Sequence, residues 1–219
     1  MKIVQSWDDG VLDDVALVEI FRRCGATACF NLTPGFYKAQ RSFGWMYEDR
    51  YPVWWLARPE LTEVYAGFEI ACHSLTHPRL TQLPPEPLQV EITESRRQLE
   101  EIFQRPIPGF CYPFNNYNET VKAALRAAGY RFARGAREQA NAFPPADPLE
   151  FSPACHILNP DFWKLYEDVK AADGVFYFWG HAYEIGPKLG WETFAAWIER
   201  ISNDPAAEWV EFEDLFAAA

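Results

Sequence analysis

Three observations predict an α/β fold of the (β/α) barrel class. Short apolar segments alternate with longer segments of helical periodicity through the 219 residues, as in repeated βα units around a parallel sheet. About seven such apolar segments are present, and no repeat or linker divides the sequence. Seven strands in this length suit a short (β/α) barrel, and a doubly wound parallel sheet is the alternative. We expect residues 1–219 to form a single domain.

The predicted strands are short and mostly hydrophobic. They cover residues 2–7, 27–32, 68–72, 109–112, 131–133, 175–179 and 209–212. Helical patterns occupy 12–24, 58–65, 87–103, 118–128, 161–171 and 191–201. In the clearest helix, Leu88, Ile92 and Leu99 repeat at roughly 3.6-residue spacing. Gly25 and Gly129 stand where helix C-cap glycines are expected.

Two stretches show no clean periodicity. Residues 34–55 are rich in aromatic side chains and predict an extended loop over one end of the sheet. Residues 137–153 contain four prolines and predict a second irregular segment. The aromatic side chains of the first stretch either stack on a sugar or pack the loop onto the barrel. They are Phe43, Trp45, Tyr47, Tyr51, Trp54 and Trp55.

Composition and charge exclude several classes of partner. The 20 lysines and arginines stand against 31 aspartates and glutamates, and the net charge of −11 disfavours nucleic acid. The most apolar stretch, 174–183, is far shorter than the roughly 18 residues of a membrane span. The five cysteines form no C-x-x-C pair, which favours a reducing compartment. Since no signal-peptide core follows Met1, we expect a cytoplasmic protein.

Four polar residues end two of the predicted strands. His73 and His77 follow strand 68–72 at a four-residue spacing, which on a helical turn places both imidazoles on one face. Asp8 and Asp9 end the first strand. Active sites of parallel α/β folds are built at the carboxyl ends of strands. We therefore expect these side chains to meet at one end of the sheet.

A third histidine completes the expected site. His181 follows strand 175–179, again at a carboxyl end. Two imidazoles and a carboxylate suit Zn²⁺ or a similar divalent ion. The remaining carboxylate and imidazole are the base and the acid that a metal-assisted hydrolysis needs.

The sequence resembles a known family at four motifs. SWDDG at 6–10 and HSLTH at 73–77 look like the first two motifs of the NodB-homology polysaccharide deacetylases, also called carbohydrate esterase family four. FCYPF at 110–114 is similar to the third motif, and FWGH at 178–181 to the last. The resemblance therefore spans most of the chain.

This resemblance implies a distorted (β/α) barrel of seven or eight strands and the removal of an acetyl group from a sugar. It also implies roles for site residues. The divalent ion, most simply Zn²⁺, is bound by Asp9, His73 and His77, with Asp8 as base and His181 as acid.

Three aromatic residues complete the implied site. The backbone N–H of Phe114, at the place of the family's tyrosine, stabilises the oxyanion. Tyr112, in the same motif, is assigned to the oxyanion and substrate region. Trp179 is close to His181 in sequence, and we hypothesise that it borders the acetyl pocket.

The third motif departs from the family pattern. Cys111 stands where the family commonly has an arginine that orients the base. We hypothesise that Arg134, at the end of strand 131–133, supplies this cation instead. A surface arginine is the alternative. Cys72 and Cys111 are interpreted as small buried apolar residues.

The acidic partner of the catalytic histidine also has no clear match in the sequence. Glu184, three residues past His181, is our first candidate, and a solvated glutamate at a helix start is the alternative. Asp147 and Asp161 are weaker candidates. We interpret His156 as a structural residue.

The sequence thus predicts a metal-dependent deacetylase acting on an N-acetylated carbohydrate that is small or oligomeric. The first alternative is a hydrolase of a non-sugar carbon–nitrogen amide. The second is a catalytically inactive relative that binds a ligand. The residues leave the oligomeric state open.

Overall fold

One sheet of parallel strands organises the molecule. The computed structural model describes residues 1–139 and 143–216, and eight strands of this part form the sheet, with a separate hairpin. The strands are β1 (Lys2–Asp9), β2 (Cys29–Leu32), β3 (Ser42–Tyr47), β4 (Tyr51–Trp55), β5 (Glu69–Cys72), β6 (Gly109–Cys111), β7 (Phe132–Arg134), β8 (Cys155–His156), β9 (Val175–His181) and β10 (Glu208–Trp209).

The sheet curls into a distorted barrel. Its strand order is β7-β6-β5-β2-β1-β9-β8, and β10 pairs with the start of β1. The segment after β7 joins the two ends of the sheet. The Phe151 N–H donates to the Ala133 carbonyl of β7, and the Ala154 N–H donates to the Tyr177 carbonyl of β9. The predicted barrel is confirmed, and the doubly wound alternative is wrong.

Helices surround the sheet. They are α1 (Asp14–Cys24), α2 (Leu61–Val64), α3 (Pro85–Phe103), α4 (Glu119–Ala127), α5 (Phe162–Ala171), α6 (Ala182–Glu184), α7 (Trp191–Ser202) and α8 (Phe212–Phe216). All six predicted helical segments contain a helix. Gly25 ends α1 at a φ of 66°, a conformation that glycine adopts without strain. Among the described residues, no helix combines the length and hydrophobicity needed to cross a bilayer.

Alternation along the strands separates two hydrophobic layers. In β1, Trp7 packs outward against the helices, whereas Val4 packs with Tyr177 and Phe212 inside the barrel. Because strand residues alternate between faces, Asp8 shares the interior face with Val4. The barrel interior is therefore apolar near the amino ends of the strands and polar at their carboxyl ends.

The structure corrects the prediction for residues 34–55. Instead of an extended loop, this stretch contains the antiparallel hairpin of β3 and β4. Phe43 pairs with Trp54 across the hairpin, and the register shifts between Phe43 and Trp45. A bulge of this kind interrupts the two-residue alternation of side chains, so the sequence shows no strand periodicity here.

The predicted strand 209–212 is also wrong in part. β10 ends at Trp209, and α8 begins at Phe212. The buried Glu69 carboxylate accepts the N–H groups of Phe212 and Glu213 at 2.7 and 3.1 Å. This carboxylate from β5 caps a helix that is distant in sequence, so local patterns did not predict the helix start.

The second irregular stretch is described only in part. Residues 140–142 of the predicted segment 137–153 lie outside the described residues. The remainder includes a helical turn at Pro148–Glu150. The strand β8 follows shortly after. With only two residues, it is too short to show an alternating pattern in the sequence.

Candidate active site

Strand register brings the predicted polar residues to one end of the barrel. Asp8 of β1 pairs with Asn31 of β2 on one side and with His181 of β9 on the other. Residues at one level of neighbouring parallel strands point to the same face, so these side chains converge. His73 directly follows β5, the next strand beyond β2. Four adjacent strands thus contribute to the candidate site.

Asp9, His73 and His77 aim three potential ligand atoms at one point. The two Nε2 atoms are 3.1 Å apart, and Asp9 Oδ1 lies 4.0 Å from His73 Nε2 and 3.8 Å from His77 Nε2. Two ligands of a tetrahedral zinc ion are about 3.4 Å apart, so the observed distances bracket that spacing. The structure brings the three predicted ligands together, and the donor set fits a divalent ion.

The ring of His73 is held in the orientation that a ligand needs. Its Nδ1–H donates to the Cys111 carbonyl at 2.9 Å, which directs the Nε2 lone pair toward His77 and Asp9. Burial lowers the pKa of His73 to about 4, so the imidazole is neutral at neutral pH. A neutral imidazole is the form that binds a metal ion.

A loop, rather than the expected helical turn, presents His77. Ser74 and His77 have positive φ values of 60° and 57°, and the His77 N–H donates to Ser74 Oγ at 2.9 Å. Glu91 of α3 accepts the N–H groups of Leu75 and Thr76 at 2.9 and 2.8 Å. Glu91 therefore fixes the loop, and sequence reasoning missed it because the helix was interpreted as a packing element.

Asp8 is an ionised carboxylate inside the barrel. Its Oδ1 accepts hydrogen bonds from Asn31, at 2.7 Å, and from the Arg134 guanidinium. Burial alone raises the pKa of Asp8, but the charge of Arg134, the neighbouring histidines and the hydrogen bond from Asn31 together outweigh burial, and the pKa falls to about 2. Asn31 is a second residue that sequence reasoning missed. The one available signal was an amide inside an otherwise apolar strand.

Arg134 lies where our hypothesis requires it. It is 3% exposed, and its guanidinium carbon is 4.9 Å from the centre of the Trp179 ring. Arg134 of β7 pairs in register with Cys111 of β6, the position where the family commonly has an arginine. The cation therefore reaches Asp8 from the neighbouring strand. Burial raises the pKa of the Cys111 thiol well above its usual range, so this cysteine stays protonated. The surface alternative for Arg134 is wrong.

The His181 imidazole has a carboxylate partner that stabilises its positive charge. Its Nδ1–H donates to Glu184 Oε2 at 3.0 Å. Burial lowers the pKa of His181, but the hydrogen bond to Glu184 and the charges of Asp9 and Asp8 outweigh burial. The pKa rises to about 9. The imidazole is consequently protonated at neutral pH.

Of the three acidic candidates for this partner, Glu184 is the one that contacts His181. Asp147 instead accepts hydrogen bonds from basic side chains of α4, and Asp161 precedes α5 on the surface. His156, interpreted as structural, also contacts Glu184, with 3.0 Å between its Nε2 and Oε2.

Of the two aromatic residues assigned from the third motif, Phe114 lies at the site and Tyr112 does not. The Phe114 ring meets the His77 ring with centroids 4.5 Å apart, which puts Phe114 beside the ligand cluster. Tyr112 does not reach the site. Its ring stacks on Tyr117 at 4.3 Å, and its hydroxyl donates to the Leu149 carbonyl at 2.8 Å. The assignment of Tyr112 to substrate is wrong, because its side chain is used in packing.

An aromatic cavity opens beside the ligand cluster. Its volume is about 420 Å³, and Asp9 and His77 contribute its polar lining. The rest of the lining includes five aromatic side chains, which are Phe36, Trp45, Trp55, Phe114 and Tyr183. A cavity of this volume accommodates one small ligand.

The predicted aromatic wall divides between two faces of the hairpin. Trp45 and Trp55 line the cavity. Phe43 and Trp54 lie on the outer face, where they are 51% and 40% exposed. Tyr51 packs instead, and its hydroxyl donates to an aspartate near α1.

Other groups of ligand-type residues in the described part of the chain are less suited to a metal ion. One group is Asp8, His73 and Cys111, and another is His156, His181 and Glu184. In the first group, the Asp8 carboxylate already forms an ion pair with Arg134, and the Cys111 thiol keeps its proton. Only a thiolate is a good ligand, so this group does not fit an ion.

A family comparison agrees with this geometry. A family model described as polysaccharide deacetylase matches residues 2–133, more than half of the chain. The chain belongs to the polysaccharide deacetylase family, which confirms the motif resemblance. No curated protein sequence matches it.

Solved structures share the fold. The deacetylase PplD of Streptococcus pyogenes, in complex with acetate, is 21% identical, with a TM-score of 0.55 over 67% of this chain and 61% of that one. This chain therefore spans less than two thirds of that protein. A family 4 carbohydrate esterase from Bacillus anthracis is 16% identical, with a TM-score of 0.65 over 100% and 83% of the two chains. One from Streptomyces lividans, in complex with acetate, is 18% identical, with a TM-score of 0.62 over 96% and 92%.

Proposed function

We propose that the protein is a metal-dependent deacetylase that hydrolyses the N-acetyl group of a small or oligomeric carbohydrate. The observation that carries the proposal is the separation of tasks in the site. Asp9, His73 and His77 converge on one point, while Asp8 and His181 are each committed to a different partner. A metal-assisted hydrolase needs a base and an acid beside its metal ligands, whereas a protein that only binds a ligand needs neither.

Asp9, His73 and His77 would hold the divalent ion. We propose Zn²⁺, since two imidazoles and one carboxylate are a common zinc donor set. When bound, such an ion stabilises negative charge on a carbonyl oxygen and lowers the pKa of water. The same assignment leaves Asp8 free for proton transfer.

Asp8 would accept the proton of the attacking water. Arg134 and Asn31 keep its carboxylate ionised and fix its orientation. The backbone N–H of Phe114, a residue whose ring contacts the His77 ring, would donate a hydrogen bond to the developing oxyanion. Trp179 lies between Arg134 and His181 and would border the acetyl group.

His181 would protonate the leaving amine. An amine is a poor leaving group unless it receives a proton as the carbon–nitrogen bond breaks. With a pKa of about 9, the His181 imidazolium carries that proton at neutral pH. The Glu184 carboxylate orients the ring through Nδ1, so Nε2 is the nitrogen that donates.

The cavity supports a substrate of limited size. About 420 Å³ is enough for a sugar ring and its acetyl group, and aromatic rings stack well on the C–H faces of sugars. Two of the structural relatives were solved with acetate, the expected acid product. The absence of a basic groove among described cavity residues agrees with a neutral substrate.

The aromatic lining also favours a second candidate. The lining side chains offer few polar groups for sugar hydroxyls. A compact amide with an apolar body, rather than a sugar, would fit such a surface. This alternative keeps the same chemistry at the carbon–nitrogen bond.

Product analysis tests both candidates. Purified protein loaded with zinc is incubated with a panel of N-acetyl sugars and small non-sugar amides, and acetate and amine are quantified. We expect acetate and a sugar amine from the wild type and at least a hundredfold less from Asp8→Asn and His73→Ala. Hydrolysis restricted to non-sugar amides would establish the second candidate. Full activity in Asp8→Asn would refute the proposed mechanism.

A further inference from the structure

We infer that His156 is a positioning residue for the general acid and holds Glu184 in the orientation in which it binds His181. The inference rests on the proposed function, in which His181 protonates an amine. His156 lies on β8, whereas Glu184 and His181 lie at the end of β9. The pairing of β8 with β9 brings these two segments together.

Three N–H groups converge on one carboxylate oxygen. Glu184 Oε2 is 3.0 Å from His156 Nε2, 3.0 Å from His181 Nδ1 and 3.3 Å from the His181 backbone nitrogen. The two contacts with His181 come from the same turn of chain. The contact with His156 ties the carboxylate to another strand, β8.

The proton of His156 can be placed from its surroundings. The Leu158 N–H donates to His156 Nδ1 at 3.2 Å, so this nitrogen carries a lone pair. In a neutral imidazole the proton is then on Nε2, the nitrogen that lies 3.0 Å from Glu184 Oε2. An Nε2 that carries a proton cannot ligate a metal. The group of His156, His181 and Glu184 is therefore a cluster of polar contacts around one carboxylate rather than a second metal site.

The orientation of His156 is itself constrained. Its ring meets the Trp179 ring edge to face, with centroids 4.7 Å apart. Its backbone N–H donates to Glu138 Oε1 at 2.8 Å, and Asn159 donates to Glu138 Oε2 at 2.7 Å. Packing and hydrogen bonds thus hold the donor that faces Glu184.

Loss of this donor would act on one chemical step. Without His156, the Glu184 carboxylate can rotate, and His181 no longer presents Nε2 in one direction. Protonation of a leaving amine then slows. An aryl acetate loses a phenolate, which departs without a proton, so its hydrolysis does not depend on His181.

Leaving-group dependence tests the inference. The zinc-loaded enzyme is assayed with an N-acetylglucosamine oligosaccharide and with 4-nitrophenyl acetate. For His156→Ala, we expect kcat on the oligosaccharide to fall about tenfold, or about 1.4 kcal/mol of barrier. KM and the hydrolysis of the aryl acetate should not change. His156→Gln should restore most of kcat, because its amide N–H can replace Nε2–H.

Asn159→Ala is the matched control, because it loosens the same segment without touching Glu184, and it should retain wild-type kcat on both substrates. Equal losses of His156→Ala on both substrates would reduce His156 to a structural role and overturn the inference. So would an unchanged kcat on the oligosaccharide. Two zinc ions per wild-type chain, with one in His156→Ala, would overturn it in favour of a metal site. A wild type that hydrolyses the aryl acetate but no amide would refute the proposed deacetylase and the inference with it.

Discussion

Pairing between charged side chains sets the protonation states of the site. Asp8 and His181 lie at the same level of neighbouring strands, yet one is ionised by a guanidinium and the other is protonated beside a carboxylate. Arg134 is distant in sequence from Asp8, whereas Glu184 lies three residues after His181. A base and an acid with well-separated pKa values are what amide hydrolysis requires.

Arg134→Met should damage the site severely. The variant leaves the buried Asp8 carboxylate without its cation, so the pKa of Asp8 rises, and we expect a loss of about 3–5 kcal/mol in the free energy of unfolding. We also expect kcat/KM to fall about a hundredfold. Urea unfolding and acetate release measure the two effects.

Arg131→Met is the matched control, because Arg131 pairs with Glu213 on the surface. It should change the free energy of unfolding by at most about 1 kcal/mol. Arg134→Lys keeps a positive charge and should recover part of the activity if Arg134→Met does not fold. Equal effects of the two methionine variants would contradict a special role for Arg134.

Glu184→Gln should move the alkaline limb of the kcat profile. The folded pKa of His181 is raised from 6.5 to about 9. Its contribution to stability is therefore complete below pH 6.5 and is lost as the pH rises through 9. Removing the carboxylate charge lowers the pKa of His181, and we expect the limb to move down by about one to two units.

A rate profile between pH 5 and 10 measures this limb. Glu192→Gln removes an exposed carboxylate from α7 and should leave the limb in place. A limb that stays near pH 9 in Glu184→Gln would assign the limb to a group other than His181.

At the scale of elements, the site depends on contacts between segments that are not neighbours in sequence. The helix α3 fixes the loop that presents His77, and the β3–β4 hairpin supplies Trp45 and Trp55 to the cavity. Neither element carries a catalytic side chain. The helix α3 positions a proposed metal ligand and the hairpin forms part of the cavity wall, so mutations in the two elements should separate metal binding from substrate binding.

Glu91→Ala should weaken metal binding without unfolding the barrel. The variant frees the N–H groups of Leu75 and Thr76, so His77 loses its fixed position. Supporting residues of this kind typically contribute about 10- to 100-fold in metal affinity. Competition with a chromophoric chelator measures the zinc Kd. Glu94→Ala, on the same helix and paired with Arg97, should bind zinc like the wild type.

Trp45→Ala should raise KM more than it lowers kcat. The Trp45 ring contacts Trp55 and Tyr183, with centroids 5.1 and 5.2 Å apart, inside the cavity wall. Loss of an aromatic contact of about 0.5–1.5 kcal/mol corresponds to roughly a two- to tenfold rise in KM. Trp54→Ala, on the outer face, is the control. A KM that rises only in Trp54→Ala would place the substrate on the other face of the hairpin.

At the scale of the whole molecule, the proposed ligands from β1 and from the segment after β5 would link metal binding to the folded barrel. An ion that binds the folded chain alone stabilises it by about 2.7 kcal/mol at a free concentration of 100 Kd. For a chain of this size, Tm should then rise by roughly 5–10 °C. Calorimetry of chelator-treated protein with and without zinc measures the rise. Asp9→Asn should show a much smaller shift, and an equal shift would place the ion elsewhere.

Sequence patterns predicted the barrel and most of its helices because apolar alternation and 3.6-residue periodicity are local signals. They also identified Asp8, Asp9, His73, His77 and His181, since each ends a predicted strand or follows it closely. The hairpin was missed because its bulge breaks the alternation. Tyr112 was misassigned because a motif position does not reveal the direction of its side chain.

The sequence by itself determined the reactive side chains and the strand ends that carry them. Only the tertiary structure decided which candidate partners they contact, Arg134 for Asp8 and Glu184 for His181, and added Asn31 beside Asp8 and His156 beside Glu184. The physical reason is that local periodicity depends on residues a few positions apart. Protonation depends on charges and hydrogen bonds across space, which exist only once strands far apart in sequence lie side by side.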